Sequence, residues 1–328
     1  MTVPGSDAEL TLTGEDFAQA REFVAPYVHK TPLLTSRLLN EATGFDVRLK
    51  AELFQRGGSY KIRGPLNKIA HLSDEDRARG VICSSAGNHS QGVALAARQY
   101  GIPAVVVMAE NATPTKIAAT RAYGAEVVLH GTIWDEANEK ALELARERDL
   151  TYIHPFDDPQ LIAGQGTIGL EIYEDYPDVE VAVVPIGGGG LISGVSMALK
   201  SLNPAIRIIG VESSGAPAMK RSVEAGQRVT LDEVDCIIDG LRVKRVGVHT
   251  LSVVRRFVDE IVTLPDERIF DAVLWIMSYM KLVAEGAAAS TVGALLEGLV
   301  RASPDTRVVC VLSGGNLDVE KLRGMGWN

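Results

Sequence analysis

The sequence predicts an α/β fold of two domains with largely parallel sheets, and three observations lead there. Short apolar, β-branched runs recur along the chain, and helix-period segments follow most of them. Such alternation is the signature of strand–helix–strand units. The length, 328 residues with 46% hydrophobic side chains, suggests about two domains and a substantial core.

In chain order, the strand candidates are "DVRLKAEL", "GVICSS", "AVVVM", "AEVVLHG", "TYIHPF", "VAVVPI", "IRIIGVE", "EIVTL" and "RVVCVL". Each is a β-branched run bounded by turn residues or charges. The helical period is clearest in "NHSQGVALAARQYG", "TIWDEANEKALELARERD" and "DERIFDAVLWIMSYMKL". No repeat or low-complexity linker separates the domains, so two interleaved sheets are expected rather than two beads on a string.

Composition narrows the function. The net charge of −9 comes from 42 acidic and 33 basic residues scattered along the chain, with no basic tract to serve as a nucleic-acid footprint. A small-molecule partner is expected. Cys83, Cys236 and Cys310 are odd in number and far apart, which fits buried thiols in a reducing cytosol better than a disulfide framework or a zinc knuckle. The N-terminus lacks the basic start and apolar stretch of a signal peptide, and no run approaches a membrane span. A cytoplasmic enzyme without membrane or nucleic-acid partners is expected, with a homodimer as the commonest assembly.

Four stretches carry the chemistry. "GGSYKIRG" sets Lys61 in a tight glycine and serine turn, with Tyr60 beside it and Arg63 and Lys68 close in sequence. A lysine that is desolvated and near other cations loses its charge readily and becomes a nucleophile. A solvated surface lysine is the commonest alternative, but it does not explain this company. In "PIGGGGLISG", Gly187, Gly188, Gly189 and Gly190 follow an apolar run and precede a helical pattern, so backbone N–H groups can converge on an anion at a helix N-terminus. A dinucleotide fingerprint fails, because its sixth position is Ile192 or Ser193. A P-loop fails as well, because Val195 stands where its lysine belongs.

"SSAGNHSQG" places small residues before Asn88 at a helix start, where free N–H groups suit a carboxylate; Asn88 is equally well read as a helix N-cap, and His89 is as ambiguous. In "VLSGGN", Ser313 ends an apolar run with one hydroxyl, which in isolation reads as a β-turn serine. Together these loops match the needs of pyridoxal phosphate: a lysine for the imine, an anion cup for the phosphate and a partner for the ring nitrogen.

The ordered motifs "KTPLLTSRLLN", "GSYKIRG", "SSAGNHSQGVA", "VVPIGGGGLISG" and "LSGGN" resemble the fold-type II pyridoxal phosphate enzymes, and within them the serine/threonine dehydratase and serine racemase group. The resemblance runs over nearly the whole chain. It implies Lys61 as Schiff-base lysine and general base, Tyr60 beside the cofactor ring in place of the usual phenylalanine, and Asn88 on the phenolic oxygen. It also implies Gly187, Gly188, Gly189, Gly190 and Leu191 around the phosphate, Ser313 at the pyridine nitrogen, and the loop from Ser85 through Ala86 and Asn88 to His89 on the substrate carboxylate. The implied reaction is deaminating dehydration of L-threonine or L-serine, with another β-hydroxy amino acid (3-hydroxyaspartate, phenylserine) or serine racemisation as alternatives. A cofactor-binding protein without turnover, or a nucleotide enzyme using the glycine loop, would lie outside that group.

Departures from the family pattern qualify these expectations. Gly57, Pro65 and Ser90 replace threonine, alanine and a smaller residue, so the shape of the site is open to a bulkier substrate. Family members that bind a divalent cation supply a glutamate, a backbone carbonyl and an aspartate. Glu212 and Ala216 match the first two, but Ala218 stands at the third, so at most a weakly bound cation is expected. In the racemising relatives a serine occupies the position of Ala86. The expected domains are a large one, residues 1–79 and 158–328, and a small insertion, residues 80–157, with the active site in the cleft between them and no C-terminal regulatory domain.

Overall fold

The computed structural model describes residues 10–317. Among the described residues ten strands form two sheets: β1 (Leu33–Thr35), β2 (Asp46–Lys50), β3 (Val81–Ser84), β4 (Ala104–Met108), β5 (Glu126–Leu129), β6 (Thr151–Tyr152), β7 (Val181–Pro185), β8 (Arg207–Ser213), β9 (Glu260–Leu264) and β10 (Arg307–Val311). The six-stranded sheet has the order β1-β2-β10-β7-β8-β9, and the four-stranded sheet the order β5-β4-β3-β6. Of the pairs these strands make, β1–β2 is antiparallel and the rest are parallel. The smaller sheet is thus made entirely from chain that lies between β2 and β7 in sequence.

Burial explains why the strands read as unbroken apolar runs. In the larger sheet Val181, Val183, Val308 and Cys310 face one core cluster, whereas Ala182, Val184, Val309 and Val311 face another. In the smaller sheet Val81, Cys83, Val106 and Met108 point to one side, and Ile82, Val105 and Val107 to the other. Strands with period-2 side chains and both faces covered have no polar side to show. Each fully buried valine, leucine or isoleucine stabilises the fold by roughly 1.5–3 kcal/mol relative to exposure. All three cysteines are free and buried. Among the described residues, no helix is long and apolar enough to cross a membrane.

Several elements differ from the sequence expectation for identifiable reasons. "DVRLKAEL" stops pairing at Lys50, where the Ala51 N–H turns to Pro32 O and a 3₁₀ turn, Glu52–Phe54, follows. "TYIHPF" is strand only at Thr151–Tyr152; Pro155 has no N–H to donate, and His154 Nδ1 accepts from the N–H groups of Phe156 and Asp157. The segment therefore bends instead of extending the sheet. The α-helix begun at Asp266 ends at Trp275 in a π-turn, Ile276–Met280, with Lys281 in the left-handed region. A long helix without a clear apolar stripe, Pro159–Asp175, packs instead through small residues. Gly166 and Gly169 bring it against the backbone of the helix Gly190–Leu202.

Candidate active site

Three loops leave the C-terminal ends of parallel strands, the usual position for a ligand crevice in α/β sheets. The Ser85–Asn88 loop follows β3, the glycine loop follows β7, and Ser313 follows β10. The lysine turn reaches the last of these directly. The Tyr60 N–H donates to Ser313 O at 3.1 Å, and the Gly315 N–H to Gly58 O at 2.8 Å. Gly57 and Gly58 lie at φ 74° and 72°, and a Cβ on Gly58 would stand 2.4 Å from Asn316 Oδ1. Only glycine makes this turn without strain.

Lys61 is partly buried, between Tyr60, whose ring centroid lies 5.3 Å from Nζ, and Pro155, whose carbonyl accepts from Nζ at 2.9 Å. Burial lowers its pKa to about 8, against the opposing pull of Glu285. A primary amine so held gives up its proton near pH 8, far more readily than a solvated lysine, which brings the unprotonated form that a nucleophile or base needs within reach near neutrality. Burial also raises the Tyr60 phenol, which stays neutral.

The glycine loop is the N-terminus of the helix Gly190–Leu202, with Gly189 as N-cap at φ 94°. The N–H groups of its first turn, those of Gly190 and Leu191 among them, have no acceptor within the helix. Phe156 backs the loop: a Cβ on Gly188 would lie 2.2 Å from its ring, and one on Gly190 2.8 Å from its carbonyl. Gly187 lies against the Gly240 carbonyl, and Gly189 against Met219 and Thr250. The cup is closed from behind by protein and lined by backbone. Because Pro155 holds Lys61 and the next residue backs the cup, lysine and cup are joined through two adjacent residues.

Asn88 begins the helix Asn88–Tyr100, whose N-cap is Gly87, so its side chain is not spent on capping. Its Nδ2 donates to Glu285 Oε1 and Oε2 at 3.0 and 2.8 Å, and its Oδ1 accepts from Asn316 Nδ2 at 2.8 Å. Ser85 Oγ accepts from the Gly87 N–H at 3.1 Å and shapes the loop, while Ala86 packs against the core beneath it. His89 is buried, with Nε2 2.9 Å from Ile153 O; burial first, and Lys61 second, lower its pKa to about 3, so it carries no charge. Its ring braces the loop from within.

Glu212, at the end of β8, accepts from the N–H groups of Met219 and Lys220, each at 2.8 Å, and so serves the start of the helix Ala218–Ala225. Ala216 is buried beside it. Among the described residues no group of three or more His, Cys, Asp or Glu side chains is placed to hold a metal ion.

Sequence reasoning passed over Pro155, Phe156, Glu285 and Asn316. Asn316 sits in "VLSGGN", where closeness to Ser313 is a usable signal, whereas Pro155 and Phe156 end a strand candidate with no site residue nearby. Glu285 precedes a helix like many glutamates, and nothing in its neighbours marks it.

The chain is similar to known proteins over most of its length. An L-threonine ammonia-lyase of Thermotoga maritima is 49% identical over 312 residues, covering 95% of this chain and 77% of that protein. A catabolic L-threonine dehydratase of Staphylococcus aureus is 43% identical over 314 residues, covering 94% of this chain and 90% of its own. Among solved structures, maize serine racemase superposes with a TM-score of 0.91 at 35% identity, covering 98% of this chain and 97% of that one. The processed threonine deaminase isoform 2 of Solanum lycopersicum superposes at 0.90 with 36% identity, covering 99% and 97%. Residues 24–314, which include the lysine turn, the glycine cup and Ser313, match one family throughout, and the chain belongs to the pyridoxal-phosphate dependent enzymes.

Proposed function

We propose that this chain is an ammonia-lyase that dehydrates and deaminates L-threonine and L-serine, giving 2-oxobutanoate or pyruvate and ammonia. The observation that carries the reading is Lys61, an amine with its pKa lowered to about 8, fixed to Pro155 beside a backbone-lined anion cup. The residues fit pyridoxal phosphate: a cup backed by Phe156 for its phosphate, Lys61 for its aldehyde carbon and the Ser313 hydroxyl for its ring nitrogen. When bound, that group supplies an electron-withdrawing π-system that acidifies the substrate Cα–H.

The chain's own residues do the rest. Lys61, unprotonated and freed by the incoming amino group, takes the Cα proton at Nζ. Ser313 is a neutral hydroxyl, so it holds a ring nitrogen without delivering the full charge that a carboxylate partner would stabilise. The bound group would then be a poor store for negative charge, so the β-hydroxyl would leave early, as water, on accepting a proton such as the one that Lys61 Nζ has taken up. The Ser85–Asn88 loop, with N–H groups at a helix start, suits the substrate carboxylate. The enamine released then exchanges nitrogen for oxygen with water, which yields the 2-oxo acid and ammonia.

The printed names of the relatives support this choice of substrate, and Ala86 supports dehydration over racemisation, because its methyl group cannot move a proton. A weakly held cation at Glu212 and the Ala216 carbonyl would share the Glu212 carboxylate with the two N–H groups that it accepts. The test is a panel of L- and D-β-hydroxy amino acids assayed for 2-oxo acid. L-threonine and L-serine should turn over fastest; no 2-oxo acid from either, with cofactor bound, would reject the reading in favour of a non-catalytic binder or another substrate.

A further inference from the structure

Glu285 has no role in the reaction as derived above, yet it is bonded into the site from two sides. Its N–H donates to Gly314 O at 3.0 Å, and its carboxylate accepts both contacts from Asn88 Nδ2, at 3.0 and 2.8 Å. Asn316 Nδ2 donates to Asn88 Oδ1 at 2.8 Å and to Gly57 O at 2.7 Å. Asparagine oxygen and nitrogen are ordinarily assigned rather than seen. Here chemistry fixes them, because the Gly57 carbonyl can only accept and an ionised Glu285 can only accept. Asn316 must turn its nitrogen to Gly57, Asn88 must turn its nitrogen to Glu285, and the Asn88 oxygen is left for Asn316. Gly314 leaves the carboxylate little room, since a Cβ there would lie 2.6 Å from Glu285 Oε1.

The second observation is charge. Burial raises the Glu285 carboxyl above its ordinary range, the Asn88 hydrogen bond and Lys61 pull it back, and Glu285 in turn opposes the burial that lowers the lysine. Asn88, Asp239 and Lys116 also act on Glu285, and Lys61 acts in turn on His89 and His154, both of which are lowered mainly by burial. Glu285 is thus the acidic neighbour that bears on Lys61, and the same carboxylate holds Asn88.

We propose that Glu285 is a positioning residue that fixes the orientation of the Asn88 amide and couples it to the charge on Lys61. This rests on the reading of Lys61 and Asn88 as cofactor residues. An anionic oxygen bonded by the Asn88 amide nitrogen draws on the same nitrogen that serves Glu285, so binding at Asn88 and protonation at Lys61 are linked through one side chain.

The test uses the full chain freed of cofactor, with Lys61 acylated by acetic anhydride across a pH series and followed by peptide mapping. Wild type should show a midpoint near 8. Glu285→Gln and Glu285→Ala should move it down by a few tenths to about one pH unit, the effect of losing a nearby opposite charge. Glu285→Asp, which keeps the charge, should return it towards wild type. In the loaded protein, the pH midpoint of the visible absorption band should follow the same order. A midpoint unchanged or raised in both neutral variants, with unaltered circular dichroism, overturns the proposal. Borohydride reduction of the loaded wild type separates the two ideas: no cofactor adduct on Lys61 rejects the cofactor reading, while the acylation series still decides the coupling to Glu285.

Discussion

Arg63→Met tests how the reactive turn is anchored. Arg63 stands two residues after Lys61 and is wholly buried with Lys50 and Glu52, and nearly so with Glu171. Its guanidinium forks onto Glu52 at 2.9 and 2.8 Å and onto Glu171 at 2.7 and 2.9 Å, while Lys50 meets Glu171 at 2.6 Å. Two positive and two negative charges therefore balance without water. Burial alone would raise the pKa of Glu52, but Arg63, with help from Lys50 and Thr31, outweighs it and holds the pKa below the usual range.

Methionine fills the volume but leaves Glu52 with only the Thr31 hydroxyl and a distant lysine. Breaking a buried pair from one side costs about 3–5 kcal/mol. For a chain of this size that is a fall in Tm on the order of 4–7 °C. Differential scanning calorimetry and thermal circular dichroism at pH 7 would measure it. The sign with pH follows from Glu52: its lowered pKa gives wild type a stabilisation present above about 4.5 and lost as pH falls. The deficit of Arg63→Met should therefore shrink in acid. Adding Glu52→Gln should recover part of the loss, because the orphaned charge is gone. A variant melting within about 2 °C of wild type at pH 7, or a deficit that grows in acid, would refute the argument.

Three further outcomes follow from the site. Lys61→Ala should abolish the borohydride-trapped cofactor adduct seen by peptide mapping in wild type, and an adduct on another lysine would reject its assignment. Ser313→Ala should retain the cofactor in its absorption spectrum while slowing 2-oxo acid release by about 5- to 150-fold, the kinetic equivalent of roughly 1–3 kcal/mol for one lost hydrogen bond. An unchanged rate would remove Ser313 from the mechanism. Ala86→Ser should add detectable D-serine to the products from L-serine, read by chiral chromatography. Wild type should give little, and D-serine forming from wild type as fast as pyruvate would sink the dehydratase reading.

The residues by themselves determined the fold class, because strands covered on both faces must be written as apolar runs such as Val181–Pro185 and Val81–Ser84, and no polar face interrupts them. They also singled out Lys61 and the Gly187–Gly190 cup, because a tight turn and an exposed N-terminal backbone admit few residue types, whereas Asn88 and Ser313 were ambiguous by themselves and were picked out only by the family resemblance. Tertiary structure alone decided the rest. That Pro155 holds the lysine, that Phe156 backs the cup and that Glu285 meets Asn88 are contacts across 94, 32 and 197 positions of sequence, respectively. Glu285 carries no local mark because its role depends on β10 bringing Gly314 and Asn316 beside the lysine turn, and Arg63 reads as a surface arginine until Glu52 and Glu171 close around it. Local pattern records the conformation each segment must adopt; which charges and amides meet is fixed only when the two sheets and their helices pack.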